Sequence, residues 1–388
     1  MAAARIAGAA TLLSVILPAL CAAFSRKLSV ELNPGSSSRP PGGDLLHIRA
    51  LGDNDTLHFL FCSRGAPTLL LVHTNLTSSY VKVNWTLFLS ANSSGGLRVE
   101  PESGVTGSVA LVFTRLLEYR DLNQTGEAAF DAFPPYRLDE VAWSPMTPSG
   151  AAARLCGALA GGSVCLDLSA FESEGRAALW PRLLHTANSS QLALRLDGLA
   201  ARSAGSRFLL ELRTLSGAAP LDAVHIRRSI DDEFTPSIFK ASEWTSGSDE
   251  SPAEGRGFVF WKRVAYRRAA PTPEDAVPCR HSEPRPGSGR GSAEVSGLAR
   301  AFFGADRGDS GLNLSFGLAG EPFYNATAFL SWTVAVGVGR PPADAFSPLV
   351  AAVMAAGLGA PLLILLTGGV YVAARKRSAS PPGYRPVN

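Results

Sequence analysis

Val81-Lys82-Val83-Asn84-Trp85-Thr86-Leu87-Phe88-Leu89 is the stretch on which the fold class turns. Val81, Val83, Trp85, Leu87 and Leu89 alternate with Lys82, Asn84, Thr86 and Phe88, and successive side chains of a strand point to opposite faces. The period predicts a half-buried strand with its apolar set inward and Asn84 outward. Comparable short, β-rich runs lie at Leu45 to Ala50, Thr56 to Phe61, Thr68 to His73, Ser108 to Glu118, Ser163 to Leu168 and Leu192 to Leu196, and again at Arg207 to Leu215, Phe258 to Tyr266, Leu312 to Phe316 and Phe329 to Val338. Gly, Pro, Asn and Ser clusters separate them, the punctuation of antiparallel sheets. Capped amphipathic helices are scarce, so residues 24–345 read as an all-β, antiparallel, sandwich-like region of one large or two domains. Ser242 to Gly257 and Arg268 to Gly297, rich in Pro, Gly, Ser and charge, read as long loops.

Phe346 to Ala374 follows without one charged side chain. At about 1.5 Å per helical residue it exceeds the roughly 30 Å hydrocarbon core, so it is expected to be a transmembrane helix. Arg375-Lys376-Arg377 come next and hold residues 375–388 in the cytosol, which places everything before Phe346 in a lumen or outside the cell. The other end agrees: residues 1–23 carry a basic Arg5, an apolar run from Thr11 to Leu20 and small residues Cys21-Ala22-Ala23, the form of a cleaved secretory signal.

Cleavage leaves Cys62, Cys156, Cys165 and Cys279, an even set in an oxidising compartment where pairing is the default. Three connectivities are open, and a local Cys156–Cys165 bridge with Cys62–Cys279 as the long one is preferred. Sequons stand at Asn54, Asn75, Asn84, Asn92, Asn123, Asn188, Asn313 and Asn325, all on the side that the signal and the basic stop predict. They read as a glycan coat suited to a degradative lumen. None falls between Asn188 and Asn313, where Ser229 to Phe234 and the strand bearing Phe260, Trp261 and Tyr266 are expected to meet a partner.

The chemistry-bearing residues do not assemble into a catalytic motif. The net charge of +3 includes four basic residues of the tail, Arg375, Lys376, Arg377 and Arg385, so no basic surface for nucleic acid is implied. The six histidines have no zinc-ligand spacing, and no nucleotide-binding glycine pattern occurs. Gly308-Asp309-Ser310-Gly311 resembles a protease nucleophile segment but lacks a second glycine and a base. Arg307-Gly308-Asp309-Ser310 carries the integrin tripeptide, which keeps a cell-surface adhesion protein as an alternative. Ser229-Ile230-Asp231-Asp232-Glu233-Phe234 clusters carboxylates, but glycosidase chemistry needs two facing each other across roughly 5–9.5 Å. A lumenal hydrolase with an unrecognised site is the other alternative.

The tail ends Gly383-Tyr384-Arg385-Pro386-Val387-Asn388. A tyrosine followed at its third position by a bulky apolar residue is bound in extended form by clathrin adaptors, with Tyr384 and Val387 as the pocket-filling side chains and Gly383 as the residue common ahead of it in lysosomal membrane proteins. In the span, Ala352, Ala356 and Ala360 recur every four residues, with Ala355 and Gly359 beside them, giving a small-residue face for close helix contact, and Pro361 is expected to kink its end.

Leu46-His47-Ile48-Arg49-Ala50, Val83-Asn84-Trp85, Ala110 to Glu118, Leu183-Leu184-His185-Thr186-Ala187, Ser229 to Glu233, Ala301-Phe302-Phe303-Gly304 and Leu330-Ser331-Trp332, together with the tyrosine tail, resemble the glycosylated lysosomal membrane protein family over nearly the whole mature chain. The resemblance implies a non-catalytic, cofactor-free type I glycoprotein of the lysosomal membrane. It further implies an accessory subunit of a major-facilitator-superfamily transporter that exports small peptides, protecting that partner from lysosomal proteases. Cys279 sits in the matching Ala276-Val277-Pro278 context. Cys62, Cys156 and Cys165 do not sit where the family's cysteines are expected, so no disulfide scheme is carried over.

Overall fold

The computed structural model describes residues 24–36, 38–126, 132–217, 219–230, 238–247, 255–287, 292–305, 307–343 and 348–378, and its strands pair antiparallel throughout. The predicted signal segment, the acidic residues Asp231 to Phe234 and the sorting residues Gly383, Tyr384 and Val387 lie outside the described residues.

A first sheet runs β1 (Lys27–Leu32), β2 (Leu45–Leu51), β3 (Thr56–Cys62), β4 (Thr68–Thr74), β7 (Val105–Arg120), β15 (Ser206–Ser216) and β22 (Asp309–Phe316) in spatial order. The two-residue β8 (Tyr136–Arg137) continues the β4 side of β7, and β20 (Ala276–His281) and β21 (Arg285–Pro286) line the far edge of β22. A second sheet runs β9 (Thr147–Ser149), β10 (Ala152–Leu159), β11 (Gly162–Ala170), β14 (Ser189–Asp197), β23 (Phe329–Val338), β18 (Gly257–Lys262), β17 (Ile238–Thr245) and β16 (Ala223–Ile230). β19 (Val264–Tyr266) pairs with both β23 and β20, which makes the two sheets continuous at one corner. Two small hairpins, β5–β6 (Tyr80–Val83 with Leu97–Glu100) and β12–β13 (Gly175–Arg176 with Leu184–His185), lie apart from these sheets.

Period-two alternation decides which side chains fill which layer. From β2, β3 and β4, Leu46, Ile48, Leu57, Phe59, Phe61, Leu69 and Leu71 enter the inter-sheet core, where they join Leu166, Leu194, Trp261, Trp332 and Val334 of the second sheet. Their neighbours Leu45, Leu60, Cys62, Leu70 and Val72 face the other way, into a second core. That outer core is roofed by the β5–β6 hairpin and by helices α1 (Trp85–Phe88), α2 (Ser292–Val295) and α3 (Gly297–Phe303), with Phe88, Leu97, Val99 and Leu298 packed inward. Every residue of β3 is therefore buried, and its sequence Thr-Leu-His-Phe-Leu-Phe-Cys shows no polar stripe.

The Val81–Leu89 strand is corrected. Pairing stops at Val83, because the Asn84 side-chain oxygen accepts from the Leu87 N–H at 3.1 Å and starts the helical turn α1. The turn carries Phe88, assigned by alternation to the outer face, into the core at 1 % exposure. The burial of Val81, Val83 and Trp85 survives, since strand and helix both present them to the outer core. Two more corrections concern loops and aromatics. The stretch expected to be a loop from Arg268 to Gly297 contains β20, β21 and the whole of α2, and the strand expected from Phe258 to Tyr266 breaks at Arg263 into β18 and β19.

Residues 23–343 form one compact unit. The last helix, α4 (Pro348–Ser378), belongs to another; within it Ala355–Lys376 is long and apolar enough to cross a membrane. Pro361 lies inside this helix.

Candidate functional site

The sequons are a surface feature with one exception. Asn54, Asn75, Asn84, Asn92, Asn123, Asn313 and Asn325 are exposed. Asn313 projects from β22 between the buried Leu312 and Leu314, as alternation requires. Asn188 differs: it is half-buried, its Oδ1 accepts from the Arg26 Nε at 2.8 Å, and Ser190 of the same sequon is fully buried.

The cysteines divide. Cys156 and Cys165 are directly opposite on the β10–β11 hairpin and bonded, a local bridge as expected. Closing so short a loop contributes about 2–3 kcal/mol by the chain-entropy argument. The Cys62–Cys279 bridge is not formed, and both residues are buried free thiols. They face different layers, Cys62 the outer core and Cys279 the inter-sheet core. Burial pushes both thiols up to about 12, so neither is a thiolate at physiological pH.

The Arg307–Ser310 segment does not present an adhesion motif. Arg307 donates to the backbone carbonyls of Ser216 and Gly217, and the buried Asp309 carboxylate is ion-paired with Arg213 at 3.0 Å. Ser310, at 2 % exposure, offers no accessible nucleophile. The aromatic set expected on a partner surface is core as well: Phe260, Trp261 and Tyr266 are at most 4 % exposed. What the sequon-free stretch does expose is β16, which among the described residues pairs only with β17 and carries exposed His225, Ile226, Arg227 and Arg228.

Two polar clusters were not foreseen from the sequence. His47 on β2 and His58 on β3 stack at 5.2 Å between centroids, with His47 Nε2 and His58 Nδ1 3.0 Å apart. His58 Nε2 reaches Ser79 Oγ at 3.0 Å, and Ser79 Oγ reaches Thr74 Oγ1 at 2.6 Å. Burial, with the nearby Arg49 charge, lowers His47 to about 4; burial, with His47 and Arg49, lowers His58 to about 3. The second cluster joins Thr106 Oγ1 to His73 Nδ1 at 2.7 Å and His73 Nε2 to Asp55 Oδ2 at 2.7 Å. Burial works to raise the Asp55 carboxyl, but hydrogen bonds and charge from His73 and Arg26 outweigh it and hold the group well below its ordinary value.

Thr106, His73 and Asp55 are linked in the order of a hydrolase triad. Asp55, however, is held bidentately by Arg26 at 2.5 and 2.8 Å, and the Thr106 hydroxyl is also within reach of the His73 carbonyl, at 3.2 Å. A base whose carboxylate is already neutralised is poorly placed to stabilise an imidazolium. Among the described residues, no group of three or more His, Cys, Asp or Glu is placed to hold a metal ion.

The exposed sequons and the apolar C-terminal helix agree with the comparisons to known proteins. The family model described as glycosylated lysosomal membrane protein matches residues 44–379. The chain belongs to the glycosylated lysosomal membrane protein family. A Danio rerio member is 49 % identical over 383 residues, covering 94 % of this chain and 93 % of the relative. The Xenopus laevis B form is 39 % identical over 386 residues, with 94 % and 93 % covered. The Homo sapiens member is 38 % identical over 363 residues, with 90 % and 87 % covered. The family's name describes a membrane glycoprotein and names no reaction.

Proposed function

We propose that this lysosomal membrane glycoprotein is a type I protein with its β unit in the lumen and its tail in the cytosol. In this reading it is a non-catalytic accessory subunit that packs against a major-facilitator-superfamily transporter of small peptides and keeps lysosomal proteases from it. The tail, through Gly383, Tyr384 and Val387, carries it to lysosomes by clathrin adaptors. The observation that supports the reading best is the distribution of the sequons. Seven are exposed on the β unit, and a glycan is a bulky hydrated branch that protects loops and cannot sit at the centre of an interface.

The partner therefore docks where sequons are missing. Between Asn188 and Asn313 an exposed feature is β16, whose edge away from β17 is unpaired among the described residues; its outward N–H and C=O groups and Ile226, 51 % exposed, suit addition of a partner strand. In the membrane, Ala352, Ala355, Ala356, Gly359 and Ala360 of α4 supply the small-residue face. Ile226→Asn combined with Arg228→Thr places a new sequon on that edge, at two exposed positions. Once glycosylated, this variant is expected to lose co-purification of the transporter from native membranes and to shorten the transporter's lifetime. Retention of both would overturn the docking edge.

A further inference from the structure

A cleft of about 550 Å3 opens between the β1–β2 connection, the β3–β4 turn and the segment preceding β9, a volume within the ~300–1,000 Å3 of ligand sites. Arg39 stands on its wall and also lines an adjoining hollow of about 310 Å3. On the opposite side are Asp139 and the half-buried Trp143.

Arg39 is held rather than free to wave in solvent. Its Nη2 donates to Asp44 Oδ2 at 2.9 Å, and the Asp44 side chain, 2 % exposed, is itself fixed by the Asn33 amide at 3.0 Å and the Met146 N–H at 2.9 Å. The loop between them is pinned by backbone that only glycine tolerates: Gly43 has φ +138°, and a Cβ there would lie 2.8 Å from the Arg64 nitrogen. Trp143 is seated against Gly157, where a Cβ would lie 3.3 Å from the indole, and its Nε1 is committed to the Leu138 carbonyl at 3.0 Å. Both side chains are thus preorganised by buried partners, the condition for a site more than for a bare surface.

The chemistry of the lining selects the ligand. The Arg39 charge is matched by Asp44, and Asp139 is matched by Arg137 at 2.6 Å, so the cleft has no net charge with which to draw an anion. It nevertheless offers many hydrogen-bonding groups. Among the described residues, one of the five N–H donors of Arg39 is engaged, and the paired carboxylate of Asp139 accepts on the other wall. An indole adds an apolar, electron-rich face. Donors and acceptors in balance beside an aromatic ring match a polyhydroxylated, uncharged molecule, whose hydroxyls pair with Arg39 and Asp139 and whose C–H face lies on Trp143. We propose that this cleft binds a neutral oligosaccharide.

Two sources share that chemistry, a free oligosaccharide and a glycan still attached to a protein, and the test separates them. Full-length protein in detergent, its own N-glycans trimmed by an endoglycosidase, is titrated with chitobiose, with a free manno-oligosaccharide, and with a high-mannose glycoprotein before and after deglycosylation. The expected result is saturable binding of a free sugar or of the glycosylated protein alone, weakened about tenfold or more by Trp143→Ala and by Arg39→Gln. Arg39→Gln guards against misfolding of the tryptophan variant, because Asp44 keeps its Asn33 and Met146 donors. Binding of the free sugars assigns a soluble ligand, and binding of the glycoprotein alone assigns a tethered one. Absence of saturable binding by every sugar probe, binding indifferent to both substitutions, or Arg39-dependent capture of an acidic peptide in place of sugar would each overturn the proposal.

Discussion

His58 and His73 lie on neighbouring strands of one sheet, and the protein treats them oppositely. His58 is fully buried against a second imidazole and a chain of hydroxyls, with no carboxylate bonded to it among the described residues. His73 is partly exposed and bonded to Asp55, which Arg26 also holds. The first arrangement excludes the proton by burial, while the second uses charge to fix a carboxylate. The clusters therefore respond to acid in different ranges, and a fold kept in lysosomes has to meet both.

The largest effect is expected at the charged cluster. Asp55→Ala leaves the Arg26 guanidinium, whose side chain is 1 % exposed, without its counter-ion, and loss of one partner of a buried pair costs about 3–5 kcal/mol. Thermal or denaturant unfolding of the full chain at neutral pH measures it. A loss under about 1 kcal/mol would mean that Arg26 finds compensation through Asn188 and the Ala50 carbonyl, and the contrast between clusters would shrink.

Acidification separates the clusters. The folded-state values of about 4 for His47 and about 3 for His58 lie below the ordinary 6.5, so the unfolded chain takes up protons first as pH falls. The stability tied to neutral imidazoles is whole above pH 6.5 and declines as pH drops towards those folded values, by roughly 2 kcal/mol per histidine at pH 5. Asp55 has the same sign in a lower range: its depressed pKa gives stability present above the ordinary carboxyl range and lost only below about pH 4. Between pH 6.5 and 4 the histidine pair should set the slope, and His47→Gln with His58→Gln should flatten a plot of stability against pH there. An unchanged slope would place the acid sensitivity elsewhere. The smallest effect is expected for Thr106→Ala, an exposed change worth within about 0.5 kcal/mol in the same unfolding assay. A larger loss would give the Thr106–His73 contact a structural weight that its exposure does not suggest.

The sequence made the sheets legible where one physical signal governed. Leu46, Ile48, Leu57, Phe59, Leu69 and Leu71 stand in short β-rich apolar runs bounded by turn-forming residues, and those runs form β2, β3 and β4. It misled where a local side chain competed with the period: Asn84 caps a helix in the middle of an apparent strand. Trp261 departs from the partner-surface expectation because aromatic residues serve cores and interfaces alike, and only the first sheet packed over it distinguishes them. Polar clusters were invisible for a different reason. His47 and His58 meet through register, Asp55 and Arg26 through the sheet edge, and Arg39 with Trp143 across about a hundred residues of chain, and no local pattern encodes these meetings. Cys62 and Cys279 were paired on parity and compartment, two arguments that know nothing of the layer each residue faces.

The place of β23 has a consequence for synthesis. It sits between β14 on one side and β18 with β19 on the other, yet it is the last strand of the chain. Ribosomes add roughly 5–20 residues each second, so a nascent chain that has already made β14 waits for some 130 further residues, on the order of ten seconds, before its central neighbour exists. Until then the edge of β14 that β23 pairs is open. The second sheet is complete only once β23 is made, immediately before the apolar helix, which makes the final stretch of translation the period when this protein most needs chaperones.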